Sequence, residues 1–403
     1  MRFPEYQNSW ETLKLRDISE KVNEKNTNND LDLVFSNSAV QGIVLQNDYF
    51  EKSIANRNNL QGYYIVKPQD FVYNPRISAN AEVGAMNINN TFKTGLVSPL
   101  YTVFRIKSAK ITPQFLEIYF KSKHWHSHMR EIANYGARDD RMNIKNDDFY
   151  NMDLQVPQND EQIKIISFLS KIIFRIETQK KTINQLNSQI EILVNLFMEE
   201  KLKLKGSYEK WKTFKLAEIG ETFNGLTGKS KEDFGSGKRY IQYKQIFDSR
   251  TIDINECGFV EIDENENQSK VKFGDAFFTV SSETANEIGM SSVLLQEVDD
   301  TYMNSFCFGF RTFSHTALNP KFASFLFRSK VFRNTIVKLA QGSTRYNMSK
   351  NEFLKLKINL PTESEQIKIS NILASLSEKL ETEKRILALL EQQKKYFLQN
   401  LFI

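Results

Sequence analysis

Cysteine is nearly absent from this chain. Cys257 and Cys307 are the only two, far apart and outside any Cys-x-x-Cys pair, which argues against a disulfide framework and a thiolate metal site. Two free core thiols fit a reducing cytoplasm, and the opening MRFPEYQNSW lacks the apolar region of a secretory signal. No run approaches the ~18 apolar residues of a membrane helix. Histidine is scarce too, with three of the four in His124-Trp125-His126-Ser127-His128. On a helix, His124 and His128 would share a face at a metal-chelating spacing, but no carboxylate or cysteine completes the set. A solvated helix end or a phosphate contact is the expected role. A large charge excess is also lacking: the net charge of +5 permits an anionic partner without demanding one.

Catalytic signatures are missing as well. There is no Asn-Pro-Pro-Tyr, no Gly-x-Gly-x-x-Gly and no helicase or nuclease motif, and no paired acid/base carboxylates recur. Gly228-Lys229-Ser230 looks like the end of a phosphate-binding loop, but Phe223 stands where that loop needs glycine. It is expected to be a flexible basic loop. These absences describe a binding protein, not an enzyme.

What the chain does have is length for two ordinary cores, 403 residues with 40% hydrophobic and 26% charged, and an internal repeat. Trp10-Glu-Thr-Leu-Lys-Leu-Arg-Asp-Ile returns as Trp211-Lys-Thr-Phe-Lys-Leu-Ala-Glu-Ile. Asp70 and Gly84 match Asp275 and Gly289; Phe104-Arg105 matches Phe310-Arg311; Lys121-Ser-Lys matches Arg328-Ser-Lys; and Arg141-Met-Asn through Phe149 matches Arg345-Tyr-Asn through Phe353. The expected domains are 1–158 and 206–361, each followed by a long helix, at 159–205 and 362–403. Within each module, strand-like runs sit between Gly/Asn/Asp turns: Tyr63–Lys67, Leu100–Arg105, Val271–Phe273, Ala276–Val280, Ser305–Phe310 and Lys355–Leu360. One helix is expected in each, from Pro113 to about Tyr135 and from Pro320 to about Ala340, with proline in the first turn.

The two long helices share a seven-residue register. Leu169, Ile176, Ile183, Ile190 and Phe197 form one series, with Ile172, Gln179, Leu186 and Leu193 three residues further on. Leu373, Leu380, Leu387, Lys394 and Leu401 form the other, with Leu376, Glu383, Leu390 and Phe397. This a/d stripe predicts a coiled coil. Either direction of pairing is geometrically open; antiparallel pairing suits tandem copies better, because it gives each an equivalent environment about a pseudo-two-fold axis. The polar Gln179 and Glu383 either set the register or mark a frayed or outward-facing layer. The expected fold class is α+β: two similar, mostly-β modules separated by two long helices forming an antiparallel coiled coil.

Basic and amide-rich loops recur at equivalent places. One set spans Gly136–Lys145, with Arg138, Arg141, Asn143 and Lys145, and Gly342–Lys350, with Ser343, Thr344, Arg345, Asn347 and Lys350. A second spans Asn74, Arg76, Ser78 and Asn80 in one copy and Ser281, Ser282 and Thr284 in the other. A third, Gly225–Arg239, carries Lys229, Lys231, Lys238 and Arg239. Arg, Asn, Ser and Thr read base edges in a major groove, while Lys and Arg hold phosphates. Taken singly, each residue is as well explained by a solvated turn. The shared Arg-x-Asn of the first set, followed by lysine two residues on in one copy and three in the other, favours DNA contact.

Together, the Trp-x-x-x-x-Leu openings (Trp10, Leu15; Trp211, Leu216), the stretch Phe277–Gly289, Gly342-Ser-Thr-Arg-Tyr-Asn-Met and the Leu-x-x-Pro…Glu-Gln-x-x-Ile block before each long helix resemble the specificity (S) subunit of a Type I restriction-modification system. The resemblance covers essentially the whole chain. It implies a non-catalytic, cytoplasmic DNA-binding subunit. Each module would be a target-recognition domain for one half of an asymmetric bipartite sequence in double-stranded DNA. The paired helices would be both spacer and docking site for two modification (methyltransferase) subunits. S-adenosylmethionine would sit on those partners, with no cofactor or metal in this chain, and restriction subunits would join the core. The first module departs from the family's text at Val72–Ser78. A duplicated adaptor for protein partners is the competing reading, and steep salt dependence of binding separates the two. Removing or adding one heptad in a long helix is expected to change the unread spacer between half-sites and leave the half-sites themselves unchanged. Sequencing of methylated sites checks this.

Overall fold

The structure is a computed structural model that describes residues 1–46, 60–135, 140–206 and 209–402. The chain divides into two compact units, Met1–Gln179 with Ile386–Ile403 and Lys180–Arg385. Each unit therefore holds one module and a half of each long helix.

The first unit is built on a four-stranded antiparallel sheet in the order Ser19–Lys21, Thr102–Ile106, Phe71–Asn74, Ala85–Ile88. The second repeats that order with Gly220–Asn224, Cys307–Thr312, Ala276–Thr279 and Ser291–Val293. The first and last strands of each module pair antiparallel, Glu11–Lys14 with Asp153–Val156 and Lys212–Lys215 with Lys357–Leu360. Each module is thus closed by its own ends before the long helix departs. Aromatic residues fill both cores at matched positions: Tyr73 stacks on Phe149 at 5.3 Å, and Phe278 meets Phe353 at 4.7 Å.

Several matched residues of the repeat prove to be structural. Asp70 is fully buried and takes two bonds from Arg105, at 2.6 and 2.8 Å; Asp275 takes two from Arg311, at 2.8 and 2.6 Å. Gly84 and Gly289 both have positive φ, +87° and +62°, and a Cβ on Gly84 would lie 2.4 Å from the Asn74 carbonyl. The Glu-Gln pair that opens each long helix is a joint. Gln162 accepts from the Thr112 backbone N–H at 2.9 Å and donates to the Pro157 carbonyl at 2.9 Å. Gln366 does the same with Asn319 N–H at 2.8 Å and the Pro361 carbonyl at 3.1 Å.

The expected single helices are each broken in two. They are Pro113–Phe120 with His126–Ile132, and Pro320–Leu326 with Lys330–Ile336. The repeated Ser of Lys-Ser-Lys and Arg-Ser-Lys explains the break. Ser122 donates to the Tyr119 carbonyl at 2.6 Å, and Ser329 to the Leu326 carbonyl at 2.7 Å, so the hydroxyl closes one helix. The Ser329 oxygen then caps the next by accepting from Phe332 N–H at 3.3 Å. Val271–Phe273 forms no strand, and Gly225–Arg239 is not a plain loop. It contains a 3₁₀ turn, Lys231–Asp233, and part of the strand Phe234–Ile241, paired with Gly258–Val260.

The long helices run over Asn159–Met198 and Glu363–Asn400. In the first unit Leu169, Ile172 and Ile176 share a core with Leu390, Leu398 and Leu401, with Leu387 partly buried beside them. In the second, Ile190 and Phe197 share a core with Ile369 and Leu373. The beginning of each helix thus meets the end of the other, which makes the pairing antiparallel. Ile183, Leu186 and Leu380 are buried as the stripe requires, while Gln179 and Glu383 are half-buried. Near the ends the stripe drifts by one position: Val194 and Leu398 are buried, whereas Leu193 and Phe397 are only partly so. A strict seven-residue repeat falls short of two α-helical turns, so a straight helix turns its next residue inward.

Candidate nucleic-acid interface

In each module, two loops more than 60 residues apart in sequence are joined edge to edge. In the second, Ser281–Ser282 pairs antiparallel with Tyr346–Asn347, and Met348 N–H donates to the Val280 carbonyl at 3.0 Å. In the first, Arg76 bridges Arg141, and Met142 N–H donates to the Pro75 carbonyl at 3.0 Å. The two loop sets expected to contact DNA are therefore one site per module, built the same way twice.

On that site Arg76, Ser78, Asn80, Asn143 and Lys145 are exposed in the first module and Arg141 is half-buried. Arg138 lies outside the described residues. In the second module Ser343, Thr344, Arg345 and Asn347 are exposed. Arg345 reaches back to the Ser281 hydroxyl at 3.3 Å, so its guanidinium stands over the joined strands.

Other expected residues serve the site from within. Ser281 and Ser282 are buried strand residues, not loop tips. Tyr243 donates its hydroxyl to the Ser281 carbonyl at 3.1 Å, and Ser282 and Thr284 donate to Glu287 at 3.2 and 2.7 Å. Asn74 accepts from the Arg76 backbone N–H at 3.1 Å, which sets the turn. Lys350 is half-buried and bonds Asn224, and burial lowers its pKa.

The third set is occupied by acidic neighbours. Lys229 is almost covered and pairs with Glu266; Lys238 pairs with Asp300 at 2.9 Å, and Lys270 pairs with Asp300 too. Lys231 and Arg239 are exposed. The Lys229 bond, joined by Gln268, holds the Glu266 carboxyl down at about 2, and Lys270 and Lys238 hold Asp300 at about 2. Carboxyls so depressed contribute stability that is complete above their unfolded pKa of ~4 and is lost as pH falls through ~2. Backbone amide protection in Phe234–Val260, taken relative to the intrinsic exchange rate at each pH, is therefore expected to fall between about pH 4 and pH 2, and Glu266→Gln is expected to weaken that dependence.

Sequence reasoning overlooked the braces. Arg333 donates to the Gly289 and Asn286 carbonyls at 2.8 and 2.7 Å, fixing the loop beside Ser282. At the matching place, Arg130 and Lys123 bond Glu82 at 2.7 and 2.6 Å. The repeat gave no signal for them, because at the offset of the preceding Lys/Arg-Ser-Lys triplets Arg333 falls opposite His126 and Arg130 opposite Val337. The three histidines do not converge: His124 precedes the helix and faces the Gln399 carbonyl at 3.1 Å, while His128 faces the Asp148 carbonyl at 3.0 Å.

Residues 208–392 match the family model described as Type I restriction modification DNA specificity domain. That match spans the second module and most of the terminal helix. It is similar to the Type I restriction enzyme MjaVIII specificity subunit of Methanocaldococcus jannaschii, 26% identical over 269 residues, covering 61% of this chain. The chain spans 60% of that relative's length. Among solved structures, the fold resembles the HsdS subunit from Thermoanaerobacter tengcongensis (TM-score 0.53, 14% identity, 98% of this chain and 97% of that one). It also resembles the S subunit of a Type I restriction-modification system from M. genitalium (TM-score 0.55, 14% identity, 100% and 99%). A third likeness is to a chain from a structure of the type I R-M system (TM-score 0.62, 14% identity, 97% of each). The α+β class of this chain agrees with all three. Among the described residues, no helix is long and apolar enough to cross a membrane.

Proposed function

We propose that this chain is a Type I specificity subunit, the DNA-reading subunit of such a system, with each module recognising one half of an asymmetric bipartite site in double-stranded DNA. The observation that carries this is the joined pair of loops present in both modules, with exposed arginine and asparagine on a hydrogen-bonded base. Arginine reads guanine and asparagine reads adenine through paired bonds, and both need a rigid base to hold register. Arg76, Arg141, Asn143 and Lys145 serve the first half-site; Ser343, Thr344, Arg345 and Asn347 serve the second. Different side chains at equivalent places give different half-sites. Lys231 and Arg239 are left for phosphates.

The chain is non-catalytic in this reading. Two methyltransferase subunits, carrying S-adenosylmethionine, dock on the outer faces of the long helices, and restriction subunits join them. Exposed apolar residues support the docking: Ile163 and its repeat Ile367, and Ile192 and its repeat Tyr396. Sequencing methylated sites in cells with and without the chain is the test. A bipartite motif that disappears with the chain supports the reading, and unchanged methylation overturns it. Binding of the purified chain to that motif should fall steeply with salt.

A further inference from the structure

The N-terminal arm of the first unit is locked onto the central helix by four contacts. Arg2 donates two bonds to the buried Glu161 carboxylate, both at 2.7 Å. Phe3 meets the Phe168 ring edge-on at 5.8 Å, Lys164 donates to Glu5 at 2.6 Å, and Trp10 donates its indole N–H to Glu161 at 3.2 Å.

The repeat places Glu365, Lys368 and Ile372 on the terminal helix where Glu161, Lys164 and Phe168 stand on the central one. Glu365 is 8% exposed, yet no described side chain donates to its carboxylate. Lys368 is exposed and makes no ion pair among the described residues, and Ile372 is 41% exposed. Glu365 and Lys368 border a hollow of ≈ 120 Å³ whose wall also includes Leu204, Gly206 and the chain's own Lys205 and Glu209, and neither Lys205 nor Lys368 forms an ion pair with Glu365 among the described residues. Counted back from Trp211 as Arg2 is from Trp10, the preceding segment puts Lys203 at the place of Arg2 and Gly206 at that of Glu5. Lys203 is exposed and Gly206 has no side chain to offer. Leu204, at the place of Phe3, packs against the core of its unit.

We propose that Glu365, Lys368 and Ile372 form a second arm seat, which takes a short peptide segment of a partner protein presenting arginine, an apolar residue and a carboxylate in the order of Arg2, Phe3 and Glu5. A buried carboxylate without a cation is costly. A guanidinium satisfies it through two parallel bonds that an ammonium cannot make. The first unit shows the chemistry that fills such a seat, and the second has the helix side of it without the arm. This inference is independent of DNA reading.

The test titrates a labelled peptide of the chain's own first ten residues, MRFPEYQNSW, into the full chain and follows fluorescence anisotropy. Saturable binding is expected, at least about tenfold weaker when the peptide's arginine is alanine. Glu365→Gln in the chain should cause the same loss, with its thermal transition not lowered and its DNA affinity unchanged. Lys203→Arg, which offers a guanidinium from within the chain, should also reduce binding. Glu161→Gln should not. Equal binding of the alanine peptide, undiminished binding to Glu365→Gln, loss on Glu161→Gln instead, or no binding at about 1 mM peptide would each overturn the proposal.

Discussion

Replacing Arg345 and Asn347 together by alanine is expected to lower affinity for the target by roughly 100-fold or more if, as proposed, both read base edges, since each such contact is worth ~1–3 kcal/mol. The loss is confined to one half-site: discrimination among bases there collapses, while discrimination at the other half remains. Both side chains are exposed and stand at the Tyr346–Asn347 strand, which Ser281–Ser282 holds by main-chain bonds. The variant therefore loses chemistry and keeps the fold. Binding measured on the wild-type site and on sites altered in one half at a time checks this. Uniform weakening across all sequences would instead assign the two residues to phosphate contact, with a reduced salt slope as its signature.

Replacing Arg311 by alanine destabilises the second unit by ~3–5 kcal/mol, the cost of leaving a buried carboxylate without its cation. Asp275 is 1% exposed, and it accepts both Arg311 bonds as well as the Lys272 backbone N–H at 2.7 Å. Burial pushes the Asp275 carboxyl upward in pKa against the opposing bonds from Arg311 and the Lys272 amide. That balance shows how little the site tolerates an unpaired charge. Denaturant unfolding followed by a probe in each unit is the measurement. Arg311→Ala moves the transition of the second unit, and Arg105→Ala, which orphans the fully buried Asp70, moves that of the first. Because each unit has its own core, the other transition shifts little in either variant. Substituting both members of a pair by apolar residues of similar volume should restore much of the loss.

The same two ion pairs show what a repeat conveys. Asp70 with Arg105 and Asp275 with Arg311 were visible as matched letters, but nothing in their spacing distinguished a buried brace from a binding group. Lys229 shows the converse. Its Gly-Lys-Ser context marked it as a free basic loop residue, whereas Glu266, 37 residues away, covers and neutralises it. Ser281 and Ser282 were placed in a reading loop, and they belong to the strand that supports one. In all these cases the deciding partner is distant in sequence, and local spacing carries no record of it.

By itself, the sequence determined the doubling of the chain, the two long helices and the stripe that joins them. Those features follow from periodicity, and a helix face is set by residues three and four apart, all within a few turns. Tertiary structure alone decided that two separate loops form one surface in each module and which basic residues are already paired. It also decided the direction of the helix pair. These depend on backbone hydrogen bonds, charges and packed volumes that meet only after folding, when residues far apart along the chain must satisfy one another's polar groups and fill one another's space.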